Sequence, residues 1–129
     1  GVHERDFVAV AERFVGIPYL WGGKSSLGID CSGLVQLSLA MAGVAAPRDS
    51  DMQEAGLGTA VTTSDLRRGD LVFWKGHVGI MTDPLALLHA NGHHMMVVRE
   101  PLETVVARIA AAGAGPVTGV RRLADYTQA

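Results

Sequence analysis

Residues Asp70–Glu100 read "DLVFWKGHVGIMTDPLALLHANGHHMMVVRE". Its four short apolar runs, DLVFW, HVGIMT, ALLHA and MMVVRE, are separated by turn residues, among them Asp83-Pro84 and Asn91-Gly92, a pattern that predicts successive antiparallel strands. His77 and His89 are equidistant from residue 83. A hairpin closing there sets them directly opposite, with side chains on one face and Cβ atoms about 4.5–5.5 Å apart, within reach of a ring-to-ring hydrogen bond. Gly79 has no side chain and leaves room for a packed helix to approach. Asn91-Gly92 reads as a tight two-residue turn, which brings His94 opposite His89.

Upstream of this meander the pattern turns helical. Phe7, Val10, Ala11 and Phe14 share one face until Gly16 and Pro18 stop the helix. The run GIPYLWGGKSSLGID reads as an ordered loop. It leads into "GIDCSGLVQLSLAMAG", in which Leu34, Val35, Leu37, Leu39 and Met41 predict a buried central helix over Cys31–Ala42, capped by Asp30 and ended at Gly43. A polar loop is expected over Pro47–Thr63, a helix over Leu102–Ala112, and a last strand in PVTGVRRL. Helices preceding a meander predict an α+β fold with the Cys31 helix packed on one sheet face.

The 129 residues suffice for one domain with a core, and 48% hydrophobic against 19% charged residues describes a globular chain. A formal net charge of −2, with no basic stripe, argues against nucleic acid as a partner. Charges among the apolar positions of residues 1–14 match neither a signal-peptide core nor a membrane span. The single cysteine forms no internal disulfide, so the fold does not depend on an oxidising compartment.

Cys31 by itself reads as a small buried hydrophobe. Placed in the first helical turn, however, it meets unpaired N–H groups and a helix dipole that favour thiolate over thiol. A nucleophilic thiol also needs a base within hydrogen-bond reach and a third polar group to fix that base's tautomer, and His77 and His89 can fill those places. A zinc site from His77, His89 and His94 is the competing arrangement, with no carboxylate to complete it. His93 and His94 otherwise read as exposed turn residues.

Together the pieces GIPYLWGG, DCSGLVQ, PRDSDMQ, LRRGDLVFW, HVGIM and LLHANG resemble, in order and spacing, the NlpC family of bacterial cell-wall cysteine peptidases. The resemblance implies a papain-like fold over one domain, residues 1–129, with N-terminal helices packed on a central antiparallel sheet. It implies Cys31 as nucleophile, His77 as general base and acid, and His89 as the group orienting His77. Tyr19 is implied to donate to the oxyanion beside the Cys31 N–H, core packing being its other reading. Asp30 is implied to meet a substrate ammonium, helix capping being the alternative, with Ser32 flanking the nucleophile. Arg48, Asp49 and Ser50 are implied to line the cleft, with Ser50 hydrogen-bonding substrate.

The reaction so implied is hydrolysis of the γ-D-glutamyl–diamino acid amide in an L-Ala-γ-D-Glu-diamino acid stem peptide, through a Cys31 thioester and with no metal or cofactor. Relatives often carry an upstream targeting domain that nothing in this chain resembles, so the chain is expected to be a catalytic fragment or a domain that recognises substrate alone. The implied location is the bacterial envelope, periplasm or exterior, with cytoplasmic recycling of wall peptides as the alternative. Two other functions stand beside this one: a Cys-His acyltransferase or amidase of the same superfamily, and a non-catalytic wall-binding module.

Overall fold

The computed structural model describes residues 6–25 and 28–123. Helix α1, Phe7–Glu12, begins where Asp6 caps it, its Oδ1 accepting the Val8 and Ala9 N–H groups at 3.0 and 3.4 Å. Two short strands, β1 (Lys24–Ser25) and β2 (Gly28–Ile29), pair antiparallel inside the segment expected to be an ordered loop. They lead directly into α2, Cys31–Met41, whose Asp30 cap accepts the Gly33 N–H at 2.7 Å. Gly43, at φ 85°, ends the following turn as the sequence predicts.

The expected loop over Pro47–Thr63 is instead structured. It contains helix α3 (Ser50–Gly56) and strand β3 (Thr59–Val61). Gln53 explains why: wholly buried, it donates to the carbonyls of Pro47 and Ser32, which pins α3 against α2. Strands β4 (Leu71–Trp74), β5 (His77–Met81), β6 (Ala86–Asn91) and β7 (Met96–Pro101) follow, then α4 (Leu102–Ala111) and β8 (Gly119–Arg122). The sheet is antiparallel, in the order β3-β8-β4-β5-β6-β7.

The sheet separates two cores. Leu71, Phe73, Val78, Ile80, Leu88, Ala90 and Val97 face α1 and α2, burying Phe7, Leu34, Val35 and Leu39. Val72, Trp74, Met81 and Leu87 face the other way, onto Val105 of α4. Arg68 ties α1 to the start of β4 through Asp6 at 2.8 Å and Glu12 at 2.9 Å. Among the described residues no helix is long and apolar enough to cross a membrane. The fold is therefore the α+β arrangement of helices on an antiparallel sheet that the hydrophobic pattern predicts.

Both hairpin registers differ from expectation. Ile80 pairs with Leu88 and Met81 with Leu87, so the turn centres on Pro84, where the Asp83 Oδ1 accepts the N–H groups of Leu85 and Ala86. His77 and His89 are consequently diagonal neighbours, not opposite ones. The Asn91 turn spans four residues, because Asn91 pairs with Met96 and its Oδ1 accepts the His94 N–H at 2.8 Å. Val98, not His94, stands opposite His89. Gly79 also serves another purpose than expected, since a Cβ there would lie 2.6–2.8 Å from the Leu87 side chain rather than against a helix.

Candidate active site

Alternation along β5 and β6 puts His77 and His89 on the α4 side of the sheet, together with Met81 and Leu87. Diagonal placement suits the rings: His77 Nε2 and His89 Nδ1 are 2.7 Å apart, with ring centroids at 5.0 Å in an edge-on arrangement. The second nitrogen of His89, Nε2, lies 2.7 Å from Glu100 Oε2. Glu100 is in turn gripped by both Nη atoms of Arg108, at 3.0 and 2.5 Å. A chain of four side chains thus runs from the start of β5 to helix α4.

Cys31 enters from the other sheet face, as the first residue of α2. Backbone N–H groups of Val78, Ser32 and Cys31 itself face its sulfur. The thiol also shares a groove of about 410 Å³ with Gly76. Gly76 and Val78, which flank His77 in sequence, thus lie at the groove and at the sulfur, whereas His77 and His89 line a separate cavity. Among the described residues the thiol and the His77 ring are not joined by a hydrogen bond. Because Nε2 is held by His89, Nδ1 is the ring nitrogen left for the sulfur.

The electrostatics correct one expectation. Burial pushes the Cys31 thiol above its ordinary value, and the N–H groups of Val78, Ser32 and Cys31 oppose this without reversing it. The helix terminus therefore does not produce a resting thiolate. Burial also lowers His77, to about 3, with the neighbouring His89 adding to the effect. His89 is lowered by burial too, against the pull of Glu100. Thiol and imidazole are therefore both neutral at rest.

The groove gathers the other expected residues. Tyr19, Asp30, Ser32, Asp49 and Ser50 all line it with Cys31. Tyr19 is fixed by its N–H to the Met95 carbonyl at 2.9 Å and by a bridge to Ile29. Its phenol is kept protonated, chiefly by burial, and further by Cys31 once that thiol ionises and by Asp30. Asp30 does more than cap α2: its two oxygens also accept the Gly22 N–H at 3.1 Å and both Arg48 Nη groups at 3.0 Å. Ser32 joins this cluster through Arg48 at 2.9 Å. Gly33 is required because the Gly23 carbonyl would sit 2.6 Å from a Cβ. Asp49 caps α3 by position, without a side-chain cap bond. The zinc arrangement is not formed: His89 commits both nitrogens to His77 and Glu100, and no group of three or more metal-ligating side chains occurs among the described residues.

The order of these features along the chain is that of a known family, whose sequence profile, NlpC/P60, matches residues 16–110. The chain belongs to the NlpC/P60 family. Among relatives of this NlpC/P60 chain, the gamma-D-glutamyl-L-lysine dipeptidyl-peptidase of Bacillus subtilis is 38% identical over 94 residues, covering 66% of this chain and 31% of that protein. Dipeptidyl-peptidase 6 of Lysinibacillus sphaericus is 38% identical over 84 residues, covering 65% and 31%. The chain thus spans about a third of the curated relatives it matches. In structure, an NlpC/P60 family protein from Bacillus cereus superposes with a TM-score of 0.79 at 30% identity, over 98% of this chain and 41% of that one. The peptidoglycan hydrolase RipB of Mycobacterium tuberculosis gives 0.73 at 31% identity, over 91% and 62%.

Glu100 and Arg108 are site features that motif reading missed. In sequence, Glu100 is a charged residue at the end of a strand. Its signal lay in the alternation, which puts it on the same sheet face as His89 through the Leu87↔Glu100 and His89↔Val98 pairs.

Proposed function

We propose that this domain is a cysteine peptidase of bacterial peptidoglycan, hydrolysing the γ-D-glutamyl–diamino acid bond of stem peptides through a thioester on Cys31. The observation that carries the reading is the direct His77–His89 hydrogen bond, with the backbone N–H of the next residue, Val78, at the Cys31 sulfur. Relatives named as γ-D-glutamyl dipeptidyl-peptidases support the choice of bond.

In the first half-reaction the thiol proton passes to His77 Nδ1 as the sulfur attacks the γ-glutamyl carbonyl carbon. The charge developing on the carbonyl oxygen is met by the Cys31 N–H, at the open end of α2, and by the protonated Tyr19 hydroxyl. The imidazolium keeps its Nε2–H on His89. It then returns the other proton to the departing amine, which leaves the glutamyl group as a thioester. Water, deprotonated by His77, cleaves that thioester to the γ-carboxylate and restores the thiol. Since thiol and imidazole both start neutral, proton transfer accompanies attack and does not precede it.

Substrate is held in the Cys31 groove, where Ser32, Asp49 and Ser50 supply polar contacts. Asp30 acts first on the protein, since Arg48 neutralises its carboxylate. The place of action is the cell envelope. The test is incubation with L-Ala-γ-D-Glu-diaminopimelate, free and attached to muramic acid, with products read by mass spectrometry. Release of L-Ala-D-Glu that is insensitive to chelators and abolished in Cys31→Ala is expected. Cleavage that persists in Cys31→Ala would overturn the mechanism.

A further inference from the structure

We infer that Glu100, held by Arg108, is a positioning residue that selects the tautomer of His89 and through it leaves His77 Nδ1 unprotonated toward Cys31. The inference rests on the catalytic reading of Cys31, His77 and His89. It starts from a conflict at one atom. His89 Nε2 has two polar neighbours that demand opposite protonation states.

Asn91 is the first. Its Oδ1 accepts the His94 N–H at 2.8 Å, which turns its NH2 group to His89 Nε2 at 3.2 Å. An amide donor there requires a bare Nε2, and places the single ring proton of His89 on Nδ1. His89 would then donate to His77 Nε2, and the proton of neutral His77 would sit on Nδ1. A base facing the thiol with N–H cannot accept its proton.

Glu100 is the second. Two Arg108 hydrogen bonds hold its carboxylate ionised, and its side chain is only 10% exposed. An anionic oxygen 2.7 Å from a nitrogen lone pair is repelled, so this contact exists only with the proton on Nε2. The carboxylate contact is shorter by 0.5 Å (2.7 against 3.2 Å) and charge-assisted, whereas the amide contact is long and neutral. Glu100 therefore prevails. His89 Nδ1 becomes an acceptor, His77 donates through Nε2, and Nδ1 of His77 is left bare for the thiol. His94, whose Nε2 lies 3.2 Å from Glu100 Oε1, is the remaining titratable neighbour of the carboxylate.

The test is the variant E100Q, alone and with N91D. In E100Q the amide oxygen keeps the shorter Arg108 contact, at the Oε1 position, so the NH2 takes the Oε2 position beside His89 Nε2 and joins Asn91 in demanding the other tautomer. N91D restores an anionic acceptor beside Nε2. In wild type, ring 15N shifts are expected to show His89 and His77 both protonated at Nε2. In E100Q both protons are expected on Nδ1, with kcat on the tripeptide reduced about 10–100-fold and KM little changed. The double variant is expected to recover the wild-type tautomers and at least ten-fold of the lost kcat. Wild-type tautomers in folded E100Q, or loss of kcat that N91D does not relieve, would overturn the inference. If wild type cleaves no stem peptide, the catalytic reading fails instead, while the ring shifts and the rate of Cys31 alkylation still decide the role of Glu100.

Discussion

Arg48 grips Asp30 through two hydrogen bonds, Nη1 to Oδ1 and Nη2 to Oδ2, each of 3.0 Å. Asp30 is the cap of the Cys31 helix, and the same oxygens hold Gly22 of the preceding loop and Gly33 of the first turn. One ion pair thus fixes the helix terminus and one wall of the groove to each other. Neither partner is free to serve substrate as a bare charge.

Loss of the guanidinium should therefore affect both stability and turnover. Arg48→Met is expected to lower the unfolding free energy by about 1 kcal/mol, since the Arg48 side chain is 32% exposed and solvent screens part of the interaction. Arg48→Lys should recover only part of this, because an ammonium cannot repeat the two-pronged contact. Urea denaturation and kcat/KM measured on the same samples check the outcome, and an unchanged midpoint in Arg48→Met would remove the ion pair from the list of supports.

The second prediction concerns the resting sulfur. Burial raises the Cys31 thiol, so the rate of alkylation by iodoacetamide is expected to climb through the alkaline range with a midpoint above that of an ordinary thiol. A profile already flat below pH 7 would mean that the thiol and His77 exchange their proton before substrate arrives.

The third prediction is a loss of stability in acid. Folding depresses His77 to about 3 from 6.5 and Glu100 to about 2 from 4.5. The unfolded chain therefore takes up protons first. The stability linked to these two groups is full above about pH 6.5, falls as His77 resists protonation below that, and falls further below 4.5 as Glu100 does the same. Each group contributes at most about 1.4 kcal/mol per pH unit within its window. Urea midpoints between pH 7 and pH 4 should fall, and His77→Gln should flatten the upper part of the curve.

How far the sequence disclosed this arrangement depends on distance along the chain. The four meander strands, the Asp30 cap and the Cys31 helix were legible because periodicity and capping are local signals. Asp83-Pro84 marked a turn but not its length, and the Asx geometry at Leu85 and Ala86 shifted the register so that the histidines became diagonal. Helix α3 is seven residues long with only Gln53 buried, too short to display a period. What held it was a polar side chain reaching carbonyls at Ser32 and Pro47. Glu100 escaped for a related reason, since its partners lie eleven residues back and eight residues on, at His89 and Arg108. The raised thiol could not be read at all, because burial is a property of the packed molecule.

The last prediction follows from the spacing of β5 and β6. Gly79 lies beside the Leu87 side chain so closely that an added Cβ would fall 2.6 Å from Cδ1, 2.7 Å from Cγ and 2.8 Å from Cδ2. Leu87 is wholly buried against the α4 core. Gly79→Ala must then push the two strands apart or force Leu87 off its rotamer, at a cost of about 1–3 kcal/mol. The histidines sit on these same strands, two residues away in each case, with only 2.7 Å between their nitrogens. Widening the pair should lengthen that bond, so turnover is expected to fall more than stability does. Trimming the obstacle should relieve the clash: Gly79→Ala with Leu87→Val is expected to be more stable than the sum of the single variants, with part of the turnover restored. Strictly additive losses in that double-mutant cycle would show that the glycine is needed for some reason other than room for Leu87.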